Sequence, residues 1–297
     1  MPASRATAFR QPAHALEPHA FTLEAVEQWA LERASRLAAD RPRLTSLWYL
    51  DYIRQDVPED RKTRYTVRLA QAENYGTAFG PISALRDADH ALVGEDSRVI
   101  LKDRRFRDDI DRTALIDLVI GHVSPPATHQ LVVDQILRDK YAARSRLFAD
   151  EAEAVLRRKG AGAIKGRKPC VLVIGATSGI LDALVARGLE VTATDMSPDV
   201  VGKNLGGVTV RDATENGSLI EAADLAIITG MTLPNRTLPG LIEAAKIHNT
   251  STMIWAVTGK NLGHYYTEQG IDCVISDPAP FLQLPGPAAI GVWRREH

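Results

Sequence analysis

From residue 171 onward, seven short apolar runs rich in β-branched residues (171–174, 190–194, 208–210, 225–229, 252–257, 273–275 and 290–293) alternate with segments of helical spacing. Strands joined through helices pair in parallel, and the crossovers leave helices on both faces of the sheet. The alternation predicts an α/β fold class, with a doubly wound, mainly parallel sheet in residues 168–297.

Ahead of this block the run GAGAIKGRKP, residues 160–169, is small and basic and marks a domain boundary. Upstream the spacing is helical. Thr22, with Glu24 and Glu27, opens a helix whose apolar positions Ala25, Val26, Trp29, Ala30, Ala34 and Leu37 recur at three- and four-residue steps. Residues 111–121 read as another helix, the pair Pro125-Pro126 forces a break, and 128–158 returns to helical spacing. Segment 44–53 is dense in aromatic residues, and SRVILKDRRF fits either a short strand or a helix fragment. Residues 21–159 are therefore expected to form a mostly helical domain that covers the sheet. Residues 1–20, rich in Pro and Ala, read as a flexible arm, with a strap across a neighbouring subunit of a homodimer as the alternative.

The 297 residues carry 36 Lys plus Arg against 37 Asp plus Glu, which argues against nucleic acid or an anionic membrane as partner and leaves a small molecule as the expected one. Cys170 and Cys273 stand far apart, so neither a disulfide framework nor a Cys-based zinc site is expected, and no His–carboxylate spacing points to a metal. Nowhere do about 18 apolar residues run together. A soluble, cytoplasmic protein is the expectation.

The sharpest chemical signal is residues 171–181, VLVIGATSGIL, where a strand enters a turn of small residues and then a helix. Gly175 admits a ligand where a Cβ would collide, and Gly179 lets the helix pack closely on the strand. The Thr177 and Ser178 hydroxyls can bond a ligand or cap the helix. A dinucleotide fingerprint would place glycines at three spaced positions, and Ala176, Thr177 and Ser178 supply none, which disfavours NAD. Asp195, about 20 residues beyond Gly175, ends the next strand where a carboxylate accepts ribose hydroxyls. Strand, turn and acid together predict a Rossmann-like nucleotide site.

The succession VLVIGATSGIL, EVTATDMSPDVV, VRDATEN and ADLAIITG resembles the motif order of class I S-adenosylmethionine (SAM)-dependent methyltransferases across residues 168–297. The resemblance implies that Gly175, Ala176, Thr177, Ser178 and Gly179 surround the methionine moiety and ribose, that Asp195 binds the ribose hydroxyls and that Met196 lies against adenine. It further implies that Asp212 and Ala213 meet the adenine amine and ring, and that Thr229 and Gly230 end the fourth strand beside the sulfonium. One departure is Val173, where those enzymes usually carry an acid. Another is the phrase ITGMTLPNRT within residues 223–238, which is similar to a family named for heavy-metal chelation whose Rossmann-like half is also C-terminal. That similarity continues through GKNLGHYYTEQGIDCVISDP.

SAM is electrophilic at each carbon on its positive sulfur, so a protein needs chiefly to align a nucleophile and exclude water. What the resemblance implies first is methyl transfer to a small acceptor in secondary metabolism. The alternative is ring closure by the SAM amino group to azetidine-2-carboxylate with release of methylthioadenosine, as in SAM-cyclising enzymes of natural-product biosynthesis. A non-enzymatic metal-chelate or nucleotide-binding role is third. Trp48, Tyr49, Tyr52, Tyr75 and Tyr141 are the aromatic candidates to face the cation. Tyr75 and His122 are the catalytic candidates, with His122 read as a loop imidazole able to act as general base. His264, beside Tyr265 and Tyr266, lies either on the ligand side of the sheet or on a helix surface.

Overall fold

The computed structural model of the chain describes residues 16–37, 42–56, 61–81, 90–133, 137–160, 167–278 and 286–296. Helix α1 (Leu23–Ala34) begins as its sequence predicts, with the Thr22 hydroxyl accepting the Ala25 N–H at 3.2 Å. Just before it, Phe21 stacks on Tyr266, so residues 16–20 of the expected arm run against the body of the protein; residues 1–15 lie outside the described residues.

The next segment corrects the helical expectation. Strands β1 (Ser46–Asp56), β2 (Arg61–Gln71) and β3 (Tyr75–Gly80) form an antiparallel sheet in that order. The reason lies in β2, which is covered on both faces. Tyr65 and Val67 pack with Phe79 on one side, while Thr66, Arg68 and Ala70 are buried on the other. An Arg on a buried face erases the apolar alternation by which a strand is recognised, and it is tolerated here because its Nε donates to Asp111 Oδ1 at 2.9 Å.

Helix α2 (Ser97–Lys102) settles SRVILKDRRF as helical. Helix α3 (Asp109–Val123) includes the helix predicted at 111–121 and is buried throughout 111–120. Strand β3 lies directly on it, so close that a Cβ on Gly76 would meet Ala114 O and Leu118 N at 2.2 Å. Strand β4 (His129–Val133) then precedes helix α4 (Leu137–Arg158), where continuous helical spacing was expected.

The remaining elements are β5 (Cys170–Ile174), α5 (Ser178–Ala186), β6 (Glu190–Asp195), β7 (Asn204–Leu205), β8 (Val208–Asp212), α6 (Asn216–Ala222), β9 (Leu225–Thr229), α7 (Leu238–His248), β10 (Ser251–Ala256), α8 (Gly263–Glu268), β11 (Cys273–Ser276) and β12 (Ala288–Arg294). Every one of the seven predicted strands is present. They build a sheet in the order β4-β12-β11-β10-β9-β5-β6-β8-β7, parallel from β8 to β11 and antiparallel at β12, β4 and β7. The architecture is α/β with a mostly parallel mixed sheet. Among the described residues no helix is long and apolar enough to cross a membrane.

Strand β4 pairs with β12, and α4 packs on the sheet through Phe148 against Trp255 and Glu151 against Arg294. The boundary expected at 160–169 therefore falls inside the large unit, and the change of architecture comes near Pro125 and Pro126; residues 161–166 lie outside the described residues.

One buried carboxylate joins the two sheets. Asp117 of α3 accepts the Thr77 N–H of β3 at 2.8 Å and the Asn261 N–H beyond β10 at 2.7 Å. Asn261 Nδ2 in turn donates to the Tyr75 and Asp117 carbonyls at 2.9 and 3.0 Å. Phe79 N–H donates to Thr258 Oγ1 at 2.9 Å, and Gly259 N–H to Thr77 O at 2.9 Å. Burial pushes the Asp117 carboxyl up to about 6 from 3.8, against the pull of Lys260 and the backbone donors. A carboxyl raised by folding keeps its proton in the native state between about pH 4 and 6, so its contribution to stability is full below that window and is lost as pH rises through 6. In urea denaturation we expect the stability of the wild type, relative to Asp117→Asn, to fall by up to about 3 kcal/mol between pH 4 and pH 7. A pH-independent difference would contradict a buried acid at this seam.

Candidate functional site

A cavity of about 360 Å³ opens where the parallel strands end at their carboxyl sides. Residues at or just beyond the ends of β5 (Gly175, Ala176, Thr177), β6 (Asp195, Met196), β8 (Ala213, Thr214, Asn216) and β9 (Thr229, Met231, Thr232) make its floor. Trp255, Val257 and Asp277 continue the wall beyond β10 and β11, Arg144 reaches it from α4, and Tyr65 and Phe79 cover it from the three-stranded sheet.

The floor is shaped by the glycine turn. Gly175 has φ +92°, a conformation L side chains rarely adopt, and a Cβ there would stand 2.8 Å from Thr229 Cγ2. Its N–H continues the pairing of β5 with β6 by donating to Thr194 O at 2.9 Å. Asp195 stands beside the turn, one carboxylate oxygen accepting the Ala176 N–H at 3.0 Å and the other the Ser197 N–H at 2.8 Å. Both bonds come from backbone and aim the carboxylate at the strand end.

Of the residues singled out by sequence, Gly175, Ala176, Thr177, Asp195, Met196, Ala213 and Thr229 lie on the cavity wall. Ser178, Gly179, Asp212 and Gly230 stand behind it. Gly179 faces Ser145 of α4, where a Cβ would meet Oγ at 2.9 Å, and Gly230 packs on Thr258 O at 2.3 Å from such an atom. Both are close-packing glycines. Asp212 Oδ1 accepts from Thr214 N–H at 2.8 Å and Thr214 Oγ1 at 2.6 Å, capping a short turn, and those bonds hold its carboxyl below the usual range.

The two catalytic candidates lie elsewhere. Tyr75 lines a separate cavity of about 560 Å³ with Lys260, whose Nζ sits 3.9 Å from the Tyr75 ring centroid. Burial pushes the Tyr75 hydroxyl up. His122 belongs to the last turn of α3, not a loop, with Nδ1 2.9 Å from Leu118 O. Nor do the expected aromatic residues face the main cavity. Trp48 is half exposed, Arg68 lies over Tyr49 and Arg144 beside Tyr141, and the Tyr52 side chain lies outside the described residues. The cover is Tyr65 with Phe79, their ring centroids 6.3 Å apart. His264 takes the helix-surface position, paired with Glu268 at 3.0 Å, while Tyr265 and Tyr266 are core. Arg144 and Trp255 carried no chemical signal, and Asp277 stood only within the phrase GKNLGHYYTEQGIDCVISDP; their apposition in space marks them. Among the described residues no group of three or more His, Cys, Asp or Glu could hold a metal ion.

Residues 164–256 match the family model described as "Putative heavy-metal chelation" (DUF364). A DUF364 protein of unknown function from Pyrococcus horikoshii is similar with a TM-score of 0.50 at 12% identity, covering 92% of this chain and 99% of its own. Another, from Desulfitobacterium hafniense, is similar with a TM-score of 0.51 at 12% identity, covering 91% of this chain and 98% of its own. At such identity the likeness is one of fold. No curated protein matches.

The turn geometry separates two glycines. Gly175→Ala is expected to lower stability by about 1–3 kcal/mol through forced positive φ and the Thr229 contact. Gly217→Ala, in the first turn of α6 with nothing within 4 Å of the added carbon, should instead stabilise by about 0.5–1 kcal/mol. Thermal denaturation of both variants reads the difference.

Proposed function

We propose that the cleft is a Rossmann-type nucleotide site that binds SAM, and that the protein uses the sulfonium as an electrophile in small-molecule metabolism. The observation that carries this reading is the position of the cavity in the strand order. From β5 the chain steps outward through β6 and β8, then returns to the other side of β5 for β9, β10 and β11. That is the 3-2-1-4-5-6 order of dinucleotide-type sheets, and ligands in such sheets sit beyond the carboxyl ends where the order reverses. The cavity lies at that reversal.

The residues present fit a nucleoside carrying a charged tail. Gly175 carries the turn tightly past Thr229 on the cavity wall, Asp195 is aimed by two backbone donors where ribose hydroxyls would meet it, and Ala213 and Thr214 offer a small-residue wall for a base. Tyr65 and Phe79 present aromatic surface suited to a sulfonium and shield it from water. In methyl transfer the acceptor lone pair bonds the methyl carbon, the carbon–sulfur bond breaks, and its electrons leave sulfur as a neutral thioether. Among the described residues no His lines the cavity, so alignment, not proton abstraction by His122, carries the rate in this reading.

A second reading, intramolecular cyclisation of SAM to azetidine-2-carboxylate and methylthioadenosine, is favoured by the cavity volume. About 360 Å³ is near the low end of ligand pockets, which run from about 300 to 1,000 Å³. One nucleoside-sized ligand fills it and leaves little space for an acceptor. For metal chelation, the described residues gather no donor set at the cleft. A cytoplasmic location goes with either SAM reaction.

Calorimetry with SAM and with NADH tests the ligand. SAM binding that weakens more than tenfold in Asp195→Ala is the expected result, because a charged, bidentate acceptor is lost; NADH binding without SAM binding would overturn it. Incubation of the pure protein with SAM alone, followed by mass spectrometry, separates the reactions. Methylthioadenosine and a four-membered imino acid formed without acceptor would establish cyclisation, and intact SAM would leave methyl transfer.

A further inference from the structure

Three polar groups on the cavity wall have hydrogen-bonding capacity that the protein does not use. Arg144 and Asp277 are 6% and 1% exposed and paired through a single contact, Arg144 Nη1 to Asp277 Oδ2 at 2.9 Å. That monodentate pairing leaves Arg144 Nε and Asp277 Oδ1 without a partner, and the buried Trp255 Nε1 has none either. Orphaned polar atoms of this kind are costly, since each forgoes its bonds to water and gains nothing in return. Three of them on residues that line one cavity are the signature of a ligand's polar group.

We propose that Arg144, Asp277 and Trp255 form a recognition site for an α-amino-acid head group, the carboxylate meeting the Arg144 and Trp255 N–H groups and the ammonium meeting Asp277. The donor count fits: two N–H groups for two carboxylate oxygens, and one carboxylate oxygen for an ammonium. A lone anion would leave Asp277 opposed to it, and a lone cation would leave Arg144 opposed. A zwitterion satisfies both. The placement fits as well. Asp195 ends β6 and Asp277 follows β11, four strand spacings apart, or roughly 19 Å at the backbone. Their side chains reach the same cavity from its two ends, so a ligand with ribose at one would carry its head group to the other.

The site also answers the departure at Val173. That side chain is 1% exposed in the core, and no carboxylate reaches the cavity from β5. Asp277 brings one from the end of β11, and the Arg144 guanidinium comes from α4, whose attachment to the sheet through Phe148 and Glu151 fixes its distance from the floor.

This inference rests on the SAM reading and deepens it, and the test is chosen so that the two can fail separately. Calorimetry compares S-adenosylhomocysteine, which carries the head group, with methylthioadenosine, which lacks it. Wild-type protein should bind the former at least tenfold more tightly. Asp277→Asn should lose at least tenfold on S-adenosylhomocysteine and less than twofold on methylthioadenosine. Trp255→Phe, which keeps the ring and removes only the indole N–H, should lose about threefold on the first alone. Equal wild-type affinity for both ligands would overturn the head-group site while leaving the nucleoside reading intact. Equal losses on both ligands would reduce the pair to a structural role and likewise overturn it. Failure of the wild type to bind either would overturn both.

Discussion

The structure depends on a carboxylate that elementary electrostatics would exclude from its position. Asp117 is fully buried between two sheets, where desolvation disfavours its charge. It is held there because backbone N–H groups of Thr77 and Asn261 converge on it. Those donors belong to β3 and to the loop beyond β10, so the same bonds that stabilise the acid fix how the small sheet sits on the large one. Tyr65 and Phe79, which cover the cavity, and Val257 of its wall are placed by this seam.

The cavity floor is set by constraints of another kind. Gly175 takes positive φ because the chain must leave β5 and enter α5 within a turn that passes Thr229 at van der Waals distance. Asp195 then serves both as the acceptor that orders the turn and as the acid presented at the strand end. Floor and cover thus come from different parts of the chain, and the wall between them is closed by Arg144 and Asp277. On that wall Arg144 Nε and Asp277 Oδ1 have no hydrogen-bond partner in the protein.

The two DUF364 structures resemble this chain over more than nine-tenths of its length, whereas the family model reaches only residues 164–256. The sequence signal is concentrated from β5 to β10, where the cavity floor lies. Folds host many chemistries, and a function must be argued from the site. Here that means from Gly175, Asp195, Arg144 and Asp277 together with the place of the cavity in the strand order.

The parallel strands were legible in the sequence because a strand buried on both faces reads as a continuous apolar run, and 171–174, 225–229 and 252–257 do so. The cap at Thr22 and the buried helix at 111–121 were legible for the same local reason. Strands β1, β2 and β4 were not. In β2, Arg68 and Thr66 occupy a buried face and are tolerated only through partners such as Asp111, 43 residues away, and in β4 an exposed edge strand has almost no apolar face to display. The site divides along the same line. Gly175 and Asp195 could be read because each answers a local backbone requirement at the end of a strand. Arg144, 133 residues from Asp277, and the covering pair Tyr65 and Phe79 could not. By itself the sequence determined the α/β alternation, the glycine turn and the acid beside it, all of which are short-range consequences of backbone geometry and burial. The tertiary structure alone decided which aromatic residues close the cavity and which distant charges meet on its wall, because those pairings arise only when packing brings separate elements together.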